Sequence, residues 1–190
     1  FFTGYCTPGP SSVDGIGITN VTMGGINNTT GAEPGNYGDY SSLVAYAAAG
    51  DSLTIDITLS TGYTYNLWVW VDWNNDLDFT DAGELVYTGL STATNPTTLS
   101  GSFSIPLTAA VGSHRMRIGG SDTDTGVDPC YTGTYASFED YTFIVNPAPT
   151  CSGTPVAGTA AAVSGTICTG SGTTVNLTGQ TTGVTNIVLQ

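Results

Sequence analysis

Residues 63–72, YTYNLWVWVD, limit what this chain can fold into more than any other stretch. Alternate side chains of an extended strand point to opposite faces, so Leu67, Val69 and Val71 face one way and Trp68, Trp70 and Asp72 the other. Both faces are apolar over most of the length, which places the segment as a central strand covered on both sides. Residues 53–59 alternate more simply. Leu53, Ile55, Ile57 and Leu59 share one face and Thr54, Asp56 and Thr58 the other, as in a half-buried strand. Residues 85–87, 101–105, 114–118 and 141–145 complete a set of short strands spaced like a β-sandwich. The alanine-rich residues 40–49 read as one or two helical turns ended by Gly50. The expectation is an all-β, jelly-roll-like sandwich.

Charge divides the chain. All 15 acidic residues and both arginines lie at or before Asp140, and there is no lysine. A net charge of −13 disfavours binding to nucleic-acid phosphates or an anionic membrane surface. With 39% hydrophobic and 10% aromatic residues, disorder is disfavoured too. No run approaches the roughly 20 apolar residues of a membrane span. The Pro-punctuated stretch VNPAPT at residues 145–150 marks a boundary. We therefore expect a sandwich over residues 1–146, a linker at 147–150 and a separate β segment at 151–190. Strands are expected near residues 154–162, 173–178 and 186–190. That segment is too small to bury both faces of a sandwich. The expectation is that the natural chain continues past Gln190 or that a neighbouring subunit supplies the missing strands.

The four cysteines, Cys6, Cys130, Cys151 and Cys168, show no zinc-ligand spacing. Two disulfides in an oxidising compartment are expected, the alternative being buried free thiols. The charge division pairs Cys6 with Cys130 and Cys151 with Cys168. The chain opens Phe1-Phe2-Thr3, which reads as a mature exported protein whose leader has been removed. The expected location is extracellular, at the cell surface.

The motif with chemistry in it is VDWNNDLDFTDAGE, residues 71–84. Asp72, Asn74, Asp76 and Asp78 recur at every second position and Glu84 closes the run. Such a density of hard oxygen donors suits Ca²⁺, which takes six to eight oxygens at about 2.3–2.6 Å. The register follows an EF-hand at its first positions, then departs. Leu77 stands where glycine is needed, and the closing acid comes one residue late. A calcium site on a strand-to-loop junction is expected, against a plain solvated acidic turn. Asp122, Asp124 and Asp128 read as a solvated loop. One of Glu139 and Asp140 is expected to point inward, toward the acidic loop or Arg115 and Arg117.

These residues also carry a resemblance. Tyr5-Cys6, ITNVTMGGINNTTG at residues 18–31, Tyr37-Gly38-Asp39-Tyr40, the residue 71–84 loop, residues 112–118, Pro129-Cys130 and Glu139-Asp140-Tyr141 follow the order of the GEVED domain. That family is a β-sandwich module of secreted and surface-anchored bacterial proteins, with no established catalytic activity. The naming motif here reads ASFEDY, with Ser137 in place of the first family glutamate. From Cys151 the chain resembles the start of an Ig-like repeat, through CSGTPVAGT and Cys168. The resemblance implies an all-β chain, a sandwich followed by a short, incomplete Ig-like segment.

No enzyme is expected. The lone His114 reads as structural, and no GxSxG elbow occurs. A structural subunit fits more features. It would be part of a bacterial surface filament or layer, joined head to tail to copies of itself or to other surface proteins by strand addition. Calcium would stabilise it. Glycosylation candidates are Asn20, Asn27, Asn28 and Asn176, sequons that a Thr-rich chain also produces by accident, and Ser52. The alternative is a calcium-dependent adhesive or glycan-binding module using exposed aromatics. Trp68 and Trp70 read as core, which leaves Trp73 and the tyrosines for that role.

Overall fold

Residues 53–59 and 63–72 do form neighbouring layers of a sandwich. A computed structural model describes residues 4–122, 126, 128–147, 159–162 and 175–178, and the chain divides into two units, Phe1–Pro149 and Thr150–Gln190. Strands of the first unit are β1 (Gly17–Met23), β2 (Ile26–Thr29), β3 (Tyr37–Ala48), β4 (Ser52–Ser60), β5 (Tyr65–Val71), β6 (Leu85–Leu90), β7 (Thr97–Ser104), β8 (Gly112–Asp122) and β9 (Ala136–Asn146). One sheet runs β2-β1-β4-β7 and the other β3-β9-β8-β5-β6. All neighbours are antiparallel except β3 and β9, which are parallel.

The inter-sheet core is built by alternation. Ile55, Ile57 and Leu59 of β4 are buried with Leu67, Val69 and Val71 of β5. Trp68 and Trp70 emerge on the opposite face of the five-stranded sheet, where they are buried with Phe79, Ala136 and Phe138. The sheet is thus covered on both sides, as its apolar faces require.

Residues 40–49 are not helical; residues 40–48 belong to the edge strand β3, which pairs with β9 from Tyr37↔Phe138 to Ala48↔Asn146, and Ala49 lies in the turn that follows. The cause is tertiary. Ala45 is fully buried beneath the β1–β2 turn, where Tyr46 N–H donates to the Gly24 carbonyl at 3.0 Å. A Cβ on Gly24 would stand 3.0 Å from the Ala45 Cβ, so small residues on both sides permit this approach. Strand pairing outweighs the weak helical preference of a short alanine run.

In the second unit, β10 (Thr159–Ala162) and β11 (Val175–Thr178) pair antiparallel. The strand expected at residues 186–190, Cys151 and Cys168 lie outside the described residues. The other expected disulfide is present: Cys6 and Cys130 are bonded, with Cα atoms 5.7 Å apart.

Candidate functional site

The outer face of the five-stranded sheet has a polar centre within an aromatic cover. Register sets Arg117 of β8 opposite Asp140 of β9, and both are 1% exposed. Arg117 donates from Nε to Asp140 Oδ1 at 2.6 Å and from Nη2 to Oδ2 at 2.8 Å. This is the bidentate geometry that makes guanidinium–carboxylate pairs strong. The Tyr37 hydroxyl and Arg115 Nη1 also donate to Asp140 Oδ2, at 3.0 and 3.3 Å. Of the two acids read as candidates to face the arginines, Asp140 does so. Burial, with the Asp140 charge, pushes the Tyr37 phenol up to about 12.

Arg117 also binds what lies over the sheet. Its Nη1 donates to the Pro129 carbonyl at 2.8 Å, and its Nη2 to the Cys6 carbonyl at 2.9 Å. The guanidinium carbon lies 5.0 Å from the centre of the Phe79 ring, and Phe79 stacks on Tyr5 at 5.3 Å. One buried cation therefore gathers the amino-terminal segment, the turn before Cys130 and the acidic loop. Gly119 makes room beneath the cover: a Cβ there would meet Phe138 at 2.3 Å. Tyr5, Tyr37 and Phe79 carried no periodic signal in the sequence; the motifs of the family resemblance included them without giving them a role.

The acidic loop leaves β5 at Asp72, which is fully buried. Asp72 Oδ1 accepts from Asn75 N at 2.6 Å and Asp76 N at 3.3 Å; Oδ2 accepts from Leu77 N at 3.0 Å and the Tyr5 hydroxyl at 2.6 Å. Four donors occupy the lone pairs of one carboxylate. Asn75 and Leu77 reach these bonds with positive φ, 59° and 77°, so Leu77 takes the backbone shape usually left to glycine. Further along, Asn74 Oδ1 accepts from Asp76 N, Asp76 Oδ1 from Asp78 N, and Asp78 Oδ1 from Thr80 N and Oγ1. The Thr80 bonds hold the Asp78 carboxyl below its ordinary range. Glu84 accepts from Trp73 N at 3.1 Å and Asp81 N at 3.3 Å; burial, with the nearby Asp72 charge, pushes it up to about 7.

This geometry bears on the fit of a cation. Asp72, expected as a ligand, acts as the acceptor that folds the loop. Asn74, Asp76 and Asp78 each retain oxygen lone pairs on the exposed side, and Asn74 also reaches Asp81 Oδ2 at 2.6 Å. Among the described residues, no three His, Cys, Asp or Glu side chains converge on one point as metal ligands. The loop supplies suitable donors but not a closed coordination shell.

His114 bridges backbone carbonyls, with Nδ1 2.9 Å from Asp72 O and Nε2 2.8 Å from Ala110 O. Trp73 packs edge-on to it and lines an open cavity of about 430 Å³ with Asn74, Asp81, Glu84, Pro106 and Thr108. Asn27 and Ser52 are exposed. By contrast Asn20 Nδ2 donates to Asn27 Oδ1 and Thr29 Oγ1, and Asn28 Nδ2 to the Tyr141 hydroxyl. Asn176 lies in β11. Asp122 ends β8 and Asp128 is exposed; Asp124 lies outside the described residues.

Residues 66–144 match the family model of the GEVED domain. The matched stretch runs from β5 to β9 and includes the acidic loop, Arg117 and Asp140. No curated protein matches the chain.

Proposed function

The chain carries a GEVED domain over residues 66–144, and from that premise we propose that it is an extracellular structural module. In this reading it is a subunit of a bacterial surface filament or layer, assembled head to tail. The observation that carries the reading is the closure over the five-stranded sheet. A disulfide of sequence separation 124 and the buried Arg117–Asp140 pair lock an aromatic cover onto the module. Arg117, Asp140, Asp72 and His114 are committed to holding segments together, which suits a durable building block better than a reaction centre. β10 and β11 pair only with each other among the described residues, and such outer edges are what strand addition uses.

Calcium stabilises the module through Asn74, Asp76, Asp78 and Glu84, with Asp72 shaping the loop, and Asn27 and Ser52 are the accessible glycan acceptors. Electron microscopy of the native protein, with calcium and after chelation, tests the assembly. Regular filaments are expected, and single particles under both conditions would sink it. Calcium is tested separately by thermal unfolding: a melting temperature that calcium raises and a chelator lowers is expected.

A second reading, a glycan-binding module, is favoured by one feature. Trp73 is the partly exposed tryptophan and lines an open cavity beside Asn74, Asp81 and Glu84, pairing an aromatic platform with hydrogen-bonding groups. Tryptophan fluorescence titrated with soluble glycans should respond in the native protein and not in Trp73→Ala.

A further inference from the structure

The Cys6–Cys130 bond is asymmetric in its surroundings. Cys130 is exposed while Cys6 is only partly so, and both line an open cavity of about 430 Å³ with Gly4, Asp76, Leu77 and Asp78. On the Cys6 side, Arg117 Nη1 points at Sγ from 3.3 Å. That guanidinium is buried and permanently charged. Near Cys130, Asp128 Oδ1 accepts the Cys130 backbone N–H at 2.8 Å, and Asp76 and Asp78 line the cavity that both sulfurs share. A thiolate is stabilised beside a cation and opposed beside carboxylates. In thiol–disulfide exchange, the better-stabilised thiolate is the better leaving group.

We propose that this disulfide is an exchangeable bond that passes Cys130 to an incoming thiol set in a basic environment on another protein, with Cys6 as the leaving thiolate. The incoming thiolate attacks Cys130 Sγ. A new S–S bond forms as the Cys6–Cys130 bond breaks, and the electron pair leaves on Cys6 Sγ beside Arg117. One disulfide is consumed and one made, so no outside oxidant or reductant is needed. In the calcium-free protein, Asp76 and Asp78 select for positive charge on the entering group. The amino-terminal segment stays docked when the bond opens. Gly9 N, Ser11 N and Ser12 N donate to the carbonyls of Tyr131, Gly133 and Thr134 at 2.9–3.0 Å, and Tyr5 remains bonded to Asp72. Cys6 is thus held ready to reverse the reaction. The result is a covalent link to a partner that leaves the sandwich folded.

The test uses the full chain freed of calcium by a chelator, with two small thiols at equal thiolate concentration, cationic cysteamine and anionic 3-mercaptopropionate, followed by alkylation. With no lysine, trypsin cleaves only after Arg115 and Arg117. Cys6 and Cys130 therefore fall in different fragments, and fragment-ion sequencing separates Cys130 from Cys151 and Cys168. Cysteamine should appear on Cys130 and the alkyl label on Cys6, favoured over the reverse by about tenfold or more. Cysteamine should also react faster than 3-mercaptopropionate, and Asp76→Asn/Asp78→Asn should erase that preference. Adducts on Cys6, an even split, or exchange only after unfolding in urea would overturn the leaving-group assignment. A charge preference unchanged in the double variant would overturn the partner assignment.

Discussion

Leu77 holds a backbone shape that its own side chain opposes. Its φ of 77° is imposed because its N–H must turn back to Asp72 Oδ2. A left-handed conformation costs a non-glycine residue about 1–2 kcal/mol. Leu77→Gly removes that cost and gives back part of it as unfolded-chain entropy, so a net gain of about 0.5–1 kcal/mol is expected in urea unfolding. A loss would show that Leu77 packing at the cavity edge outweighs the backbone term. Arg117 presents the opposite case, a residue whose partners depend on it. Removing one member of a buried ion pair leaves the other charge uncompensated, and Arg117→Met should cost about 3–5 kcal/mol. Arg117→Met/Asp140→Leu should recover much of that loss. If the single variant loses less than about 1 kcal/mol, Arg115, 3.3 Å from Asp140, supplies sufficient charge by itself.

At the scale of elements, the amino-terminal segment is the part whose attachment is covalent. The chain-entropy model assigns about 5 kcal/mol to a disulfide closing so long a loop. Cys6→Ser/Cys130→Ser should lower the stability of the sandwich by up to that amount while leaving its far-ultraviolet circular dichroism unchanged, because the cover adds no strand to either sheet. Loss of the β signal at room temperature would mean that the sheets depend on the cover for folding. What the sequence made legible follows the same division. Strands β4 and β5 could be read because period-two alternation is a local signal, and β5 displayed both of its buried faces. The β3 strand could not, since Ala45 is held by Gly24 and by pairing with β9, contacts remote along the chain. The acidic loop was visible by spacing, but spacing did not reveal that Asp72 accepts the backbone N–H groups that fold it. Phe79 stacks on Tyr5, and both Phe79 and Tyr37 lie against Arg117, contacts between residues so far apart along the chain that no local pattern announces them.

Across the whole molecule, two effects make stability depend on pH, and they can be separated. Glu139 is fully buried on the inner side of β9, accepting from Thr30 Oγ1 at 2.8 Å and from the Tyr141 hydroxyl at 2.7 Å. Its neighbours on the adjoining elements are neutral or acidic: Asn28 bonded to Tyr141, Tyr40 stacked on Tyr141, and Glu33 bonded to Tyr40. Burial without a cation raises its pKa from 4.5 to about 7. The folded state therefore favours the protonated acid. That contribution is fully present below the unfolded value near 4.5 and is lost as pH rises through about 7, by an amount on the order of 3 kcal/mol. In calcium-free protein Glu84, raised to about 7 as well, acts in the same direction. Self-repulsion at a net charge of −13 also grows with pH, but added salt screens it, whereas salt screens a buried carboxyl poorly. Urea midpoints measured between about pH 5 and 8 should fall with rising pH, and at high salt a slope should remain. Glu139→Gln, which keeps the shape and removes the titration, should abolish about half of that salt-resistant slope. A slope that vanishes in salt would assign the effect to surface charge, and one unchanged by Glu139→Gln would assign it to Glu84.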